Sequence, residues 1–232
     1  MGLIVGPLGT SLGIGAAPFL APLLVFRYHL PLGQALGTAL AIGFLTSASC
    51  TTTFFQGYRA AFRPIQPLVW AGVAGSLLSS LLLPPMTLAR FPHLLAIRLI
   101  GSAAYALLNR AWAPSAFAQG PEARLSRAWA SRATSNGWQR KAIVTALFAG
   151  GVARSLGVGA GLVLVPFLAL ESGVSWPVAL VAAQAADVPV TFSSSLLFLH
   201  HGQLNFPLAV YVGAGSMVGA RVFAHRGRYA LA

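Results

Sequence analysis

The sequence predicts an all-α polytopic membrane protein of about seven transmembrane helices, arranged as two related repeats with glycine-broken helices in each. Three observations predict it. Of 232 residues, 56% are apolar and 8% charged, where a soluble domain carries roughly a quarter charged. Acids number three (Glu122, Glu171 and Asp187) against fifteen Lys and Arg. So little charge cannot cover a soluble surface, and the apolar content is too high for a disordered chain. Finally, the chain matches itself at an offset of 144 residues, as the motifs below show.

Taken in order, residues 2–26 are uncharged but interrupted by Gly6, Pro7, Gly9, Gly13, Gly15, Pro18 and Pro22. No basic residue precedes Arg27, so this reads as a retained, broken first span rather than a cleaved signal peptide. Leu32–Phe55 is uncharged and forms the second span, and Ile65–Met86, stopped by Pro84-Pro85, forms the third. His93–Leu108 is a shorter fourth that contains Arg98. The segment 109–141 breaks the pattern with Arg110, Arg124, Arg127, Arg132, Arg140 and Lys141 against Glu122. Positive charge collects on the cytoplasmic side, so it reads as a basic cytoplasmic linker between repeats at 1–108 and 142–232. Ala142–Leu170, broken by Gly150, Gly151, Gly157, Gly159 and Gly161, is the fifth span. Ser175–Leu199, with Asp187 near its middle, and Pro207–Phe223 are the sixth and seventh. Counted this way, the tail with Arg221, Arg226 and Arg228 falls outside, against the charge rule. Either a broken segment does not span, or an eighth helix is missing.

The repeat aligns Leu12-Gly13-Ile14-Gly15-Ala16 with Leu156-Gly157-Val158-Gly159-Ala160, and Pro22 with Pro166. At the same offset Ser49 meets Ser193 and Phe54 meets Phe198. Further on, Pro67-Leu68 meets Pro207-Leu208 and Gly75-Ser76 meets Gly215-Ser216. A broken membrane helix frees backbone groups that are tolerated only inside protein or beside a wet cavity. Two such breaks at corresponding positions point to a transporter's substrate site. Gly72, Gly75, Ser79, Gly215 and Gly219 read instead as small residues for close helix packing. The repeats are parallel if every segment spans, and inverted if one broken segment is re-entrant.

These residues resemble the TauE/SafE family of membrane permeases, the sulfite-exporter group. The resemblance rests on Leu12-Gly13-Ile14-Gly15 through Pro22, on Ala35-x-Gly37-Thr38-Ala39, and on Gly151 through Gly157-x-Gly159-Ala160-Gly161 and Pro166. It covers most of the chain except the linker. The second copy has Ala179-Leu180-Val181-Ala182-Ala183-Gln184 where the first has the Thr38 motif, and it lacks the family's final helix. The resemblance implies a permease that moves small anions, sulfite or organosulfur anions, across a cell membrane, the inner membrane in a bacterium.

Hydroxyls recur in both halves, Thr46, Ser47, Ser49, Thr51, Thr52 and Thr53 answering Thr191, Ser193, Ser194 and Ser195. They either satisfy carbonyls of their own helix or line a path for a small oxyanion, helped by helix N-termini. The candidate substrate-binding set is Gly13, Gly15, Thr38, Ser47, Ser49, Gly157, Gly159, Thr191 and Ser193. Asp187, the one acid inside a span, must face protein or water. It is either half of a structural ion pair, with Arg154 the first candidate partner, or a carboxylate that couples protons to transport. Adjacent His200 and His201 point to different helix faces and cannot form an i, i+4 metal pair. A lone Cys50, three acids and no Gly-x-Ser-x-Gly or Gly-Lys-Ser/Thr motif argue against metal, cofactor and enzyme chemistry. Nucleic acid is not an expected partner, because the basic residues gather in the linker and tail. The expected partners are the lipid bilayer, a small anion and a second copy of the chain. The competing reading is a membrane subunit that acts only within a complex.

Overall fold

The structure is a computed structural model that describes residues 1–13, 15–55, 65–82, 135–172 and 176–230. Among these residues it is all helical: α1 (Gly2–Leu12), α2 (Ala17–Tyr28), α3 (Leu32–Phe55), α4 (Gln66–Leu82), α5 (Asn136–Leu156), α6 (Gly161–Ser172), α7 (Trp176–His200) and α8 (Phe206–Ala230). The expected fourth span His93–Leu108 and the linker as far as Thr134 lie outside the described residues. The linker's last residues belong to α5, which starts at Asn136, so that Gln139, Arg140 and Lys141 lie within its first two turns, ahead of the apolar run.

Glycine decides where the first and fifth predicted spans break. Gly13 ends α1 and Gly157 ends α5, both left-handed at φ 71° and 59°, a conformation that costs an L side chain about 1–2 kcal/mol. The chain then turns back instead of continuing. At the open end of α1–α2, Tyr28 Oη donates to Met1 Sδ at 3.8 Å. At the open end of α5–α6, Lys141 Nζ lies 2.9 Å from Glu171 Oε2, and Trp138 packs on Phe167 with ring centres 6.2 Å apart. Each broken segment is thus a helical hairpin whose two ends share one side of the bundle, rather than a single helix passing through it.

The contacts also fix helix direction. Between α3 and α7, Phe44 packs on Phe192 at 5.1 Å and Ser47 reaches Asp187 at 3.0 Å, so the numbers rise on one helix and fall on the other. The two are antiparallel. Between α3 and α8, Thr38 meets Asn205, Thr46 meets Ser216 and Ser49 meets Met217, so these are parallel. Likewise α4 runs parallel to α5, with Gly72 beside Ala146 and Ser79 bonded to Ser155 at 2.8 Å, and to α7, with Gly72 beside Val190 and Ser76 bonded to Ser193 at 2.9 Å. The end of α8, which carries Arg221, therefore lies on the same side of the bundle as the end of α3 and as Arg140 and Lys141.

Two helix pairs approach at backbone distance. A methyl group at Gly150 would strike the Gly72 carbonyl oxygen, and one at Gly75 would strike that of Leu147. The same holds at α1–α8, where Gly2 and Gly6 face the carbonyls of Val212 and Ser216. Side-chain polarity is turned inward. Thr46, Ser47, Arg154, Gln184, Asp187 and Thr191 are buried, while Ile4, Trp70, Leu81, Phe148, Leu170 and Tyr211 are exposed. Such an apolar exterior suits contact with lipid. Leu32–Thr53 and Val178–His200 are the two helices among the described residues long and apolar enough to cross a membrane.

Gly150→Ala is expected to destabilise by about 1–3 kcal/mol, the usual cost of overpacking, because backbone rather than a movable side chain blocks the methyl. Gly151→Ala, whose methyl meets nothing closer than the Gly75 carbonyl at 3.7 Å, is expected to be neutral or stabilising by up to about 1 kcal/mol through helix propensity. Thermal unfolding of both variants in detergent checks the contrast.

Candidate functional site

The two hairpin tips converge on α7. At the second tip, the chain between Gly157 and Gly161 presents the first free N–H groups of α6, a helix too apolar to cap itself. Asp187, 1% exposed on α7, supplies the cap from outside: Ala160 N–H donates to Oδ1 at 2.5 Å. Its other oxygen, Oδ2, accepts from Ser47 Oγ on α3 at 3.0 Å. A buried carboxylate is tolerated when its acceptors are filled, and the positive end of the α6 dipole adds to the two hydrogen bonds.

The first tip closes the same node. Gly15, left-handed at φ 71°, lies so near that an added methyl would touch Asp187 Oδ2 and Ser47 Oγ, each at 3.4 Å. One turn before Asp187, buried Gln184 extends Nε2 to the Gly9 carbonyl of α1 in a long contact of 3.5 Å, and its Oε1 has no partner. Four elements thus meet around one carboxylate. A separate groove of about 550 Å³ runs between α3, α4 and α7, lined by Thr51, Thr52, Gln66, Ala185, Val188 and Pro189.

The sequence-derived residues divide. Gly15, Ser47 and Asp187 come together. Gly13 packs nearby against Leu180 and Val165, Gly157 makes the second turn, and the Gly159 carbonyl accepts from Leu162 N–H at 3.3 Å in the first turn of α6. Thr38 is elsewhere: its hydroxyl accepts the Asn205 N–H at 3.0 Å, where the chain enters α8. Ser49 donates to the Met217 carbonyl, and Ser193 is shared between the Val190 carbonyl and Ser76. Thr191 donates to the Asp187 carbonyl within its own helix. Most of the hydroxyls therefore satisfy carbonyls or join helices, and Ser47 alone among the described ones reaches the carboxylate.

Arg154 and Asp187 do not pair. Asp187 spends both oxygens on Ala160 and Ser47, while the Arg154 guanidinium lies 5.3 Å from the centre of the Phe198 ring. The reason is local: a backbone N–H held at a helix start is nearer and needs no side-chain ordering. Three participants went unread in the sequence, namely the Ala160 amide, Gln184 and the Gly9 carbonyl. Gln184 had a signal, as an amide side chain on the same span as Asp187 and one turn away from it.

A family model described as sulfite exporter TauE/SafE matches residues 1–230. No curated protein and no solved structure matches the chain.

Asp187→Ala strands a buried N–H and a buried hydroxyl and is expected to cost about 1–3 kcal/mol for each group left unsatisfied. Asp187→Asn keeps an acceptor for Ala160 and offers Ser47 a donor, so its loss should stay below about 1.5 kcal/mol. Unfolding temperatures of the two variants, measured side by side, test whether the carboxylate caps α6 as described.

Proposed function

The chain belongs to the sulfite exporter TauE/SafE family, a family of membrane transporters, and from that premise we propose that it is a permease for small anions, sulfite or organosulfur anions, working by alternating access. The observation that carries this reading is the convergence of two glycine-broken hairpins on one buried polar node in an otherwise apolar bundle. Irregular backbone at membrane depth belongs where a substrate path runs.

In this reading the repeats are inverted. Each opens with a re-entrant hairpin, α1–α2 or α5–α6, followed by a spanning helix, α3 or α7, and the antiparallel run of α3 and α7 supports that relation. The side bearing Arg140, Lys141 and Arg221 is cytoplasmic under the charge rule. Re-entry of the hairpins also brings the basic tail to that side, which a count of straight spans did not.

The site is the node itself. Gly15 and the Ala160 turn supply backbone close to the substrate, and Ser47 and Gln184 supply polar side chains. The groove past Thr51 and Gln66 is the approach from the basic side. Gly13 and Gly157 form the turns, while Thr38, Ser49, Thr191 and Ser193 position the helices around them. Asp187 is the carboxylate that couples a proton to the anion: when charged it holds the α6 N-terminus, and when neutral it releases that N-terminus to an incoming anion.

Purified protein in liposomes is expected to move labelled sulfite or a small sulfonate, and an imposed pH gradient is expected to drive that flux. Asp187→Asn, which keeps the cap, should leave any remaining flux insensitive to the gradient. Absence of flux for every anion from a well-folded, correctly inserted protein would sink the permease reading in favour of a subunit that acts in a complex. The topology is checked separately. Single cysteines at Lys141, Glu171 and Arg221 are expected to label from one side of the membrane, and cysteines at Tyr28 and His201 from the other. Labelling of positions 141 and 171 from opposite sides would overturn the hairpin.

A further inference from the structure

Arg154 is the largest side chain among the fully buried described residues, and it sits in the last turn of α5, just before the Gly157 break. Phe198 offers it a ring face at 5.3 Å. Its Nε and Nη2 have no hydrogen-bond partner. Those two nitrogens are not a random pair, because they form one edge of the guanidinium, where two parallel N–H bonds grip two oxygens of a single anion. The ring can attract the charge but accepts neither of these N–H groups along its edge. The negative end of the α5 dipole favours a cation here, yet neither nitrogen reaches a carbonyl.

The missing counter-ion cannot be drawn from the acids the structure describes. The chain has three. Glu171 is paired with Lys141 at the open end of the second hairpin. Asp187 has both oxygens occupied. Glu122 is outside the described residues. The position has no counterpart in the other half either. At the 144-residue offset Arg154 corresponds to Thr10, whose hydroxyl is satisfied by the Gly6 carbonyl at 2.8 Å. A buried cation with one unpartnered bidentate edge, present in one half of the sequence, has the chemistry of an oxyanion ligand.

We propose that Arg154 is an anion-binding group additional to the node, taking two oxygens of a sulfite or sulfonate group on its Nε–Nη2 edge. The physiological identity of that anion rests on the permease reading; the binding itself does not. A halide has one centre and cannot bridge the edge as two oxygens do, so the site selects oxyanions over chloride. The fork also explains why arginine rather than lysine stands here, since an ammonium offers a point charge without the parallel pair.

The test uses the full chain in detergent, with thermal unfolding followed against sodium sulfite, sodium methanesulfonate and sodium chloride at constant ionic strength. Sulfite and methanesulfonate are expected to raise the unfolding temperature of the wild type, and chloride is not. Arg154→Gln should unfold at the same or a higher temperature without anion, because an uncompensated buried charge is gone, and should lose the oxyanion-dependent shift. Arg154→Lys should weaken apparent sulfite affinity by about tenfold or more, and it decides the matter if Arg154→Gln does not fold. A shift undiminished in Arg154→Gln, unchanged affinity in Arg154→Lys, or no oxyanion shift in the wild type overturns the proposal. Liposome flux of the same proteins separates the two readings. Binding without wild-type flux removes the permease and leaves the arginine, while flux unchanged in Arg154→Gln removes the arginine and leaves the permease.

Discussion

The Asp187–Ala160 hydrogen bond is the constraint on which the rest of the interior depends. A helix that begins in the middle of an apolar bundle exposes N–H groups with no water to receive them. Here one carboxylate from a different helix meets that demand. To do so α7 must present residue 187 at the level of the second hairpin tip. The leftover oxygen must then find a donor, which fixes Ser47 and with it the crossing of α3 over α7. Gly15 follows, because the first hairpin tip comes too near the pair for a side chain to fit without contact. Each piece is a consequence of not leaving a polar group unpaired where pairing is costly.

Much of this was legible in the sequence, and the parts that were not share a physical cause. Apolar length and the paucity of acids gave the class, and the paired Gly-x-Gly-Ala motifs gave the locations of both breaks. What a hydropathy count cannot show is whether a chain continues past a break or reverses, since both outcomes use the same apolar residues. The reversal at Gly157 is sealed by Lys141 and Glu171, thirty positions apart, a pairing that composition does not reveal. Similarly, Arg154 looked like the partner of Asp187 because opposite charges are scarce in this chain. Counting side-chain charges overlooks the backbone, and a fixed amide at 2.5 Å took the carboxylate instead. Thr38 belonged to a recognisable motif, yet its hydroxyl serves the start of α8, a contact set by tertiary approach.

The match between the two halves of the sequence is near-symmetric in glycine and proline but not in charge. Where the second half has Asp187 the first has Gly43, and where it has Arg154 the first has Thr10. Gly43 lets α3 lie close to Ala17, 3.2 Å from where a side chain would begin, so the start of α2 is covered by packing rather than by a carboxylate. The buried acid and the buried base of the described interior, Asp187 and Arg154, therefore both sit in the second half. Shape is shared between the halves, and electrostatics is delegated to one.

The backbone-level packing of α1 on α8 and of α5 on α4 has a mechanical consequence. Each hairpin's leading helix is locked, carbonyl against glycine, to a helix of the other half, α1 to α8 and α5 to α4. The two halves cannot part from one another without opening those seams, where backbone meets backbone and leaves little room for slip. A unit held rigid by these seams is thus a mixed one, a hairpin arm together with a helix from the other half, and its boundaries cut across the boundary between the two matching stretches of sequence.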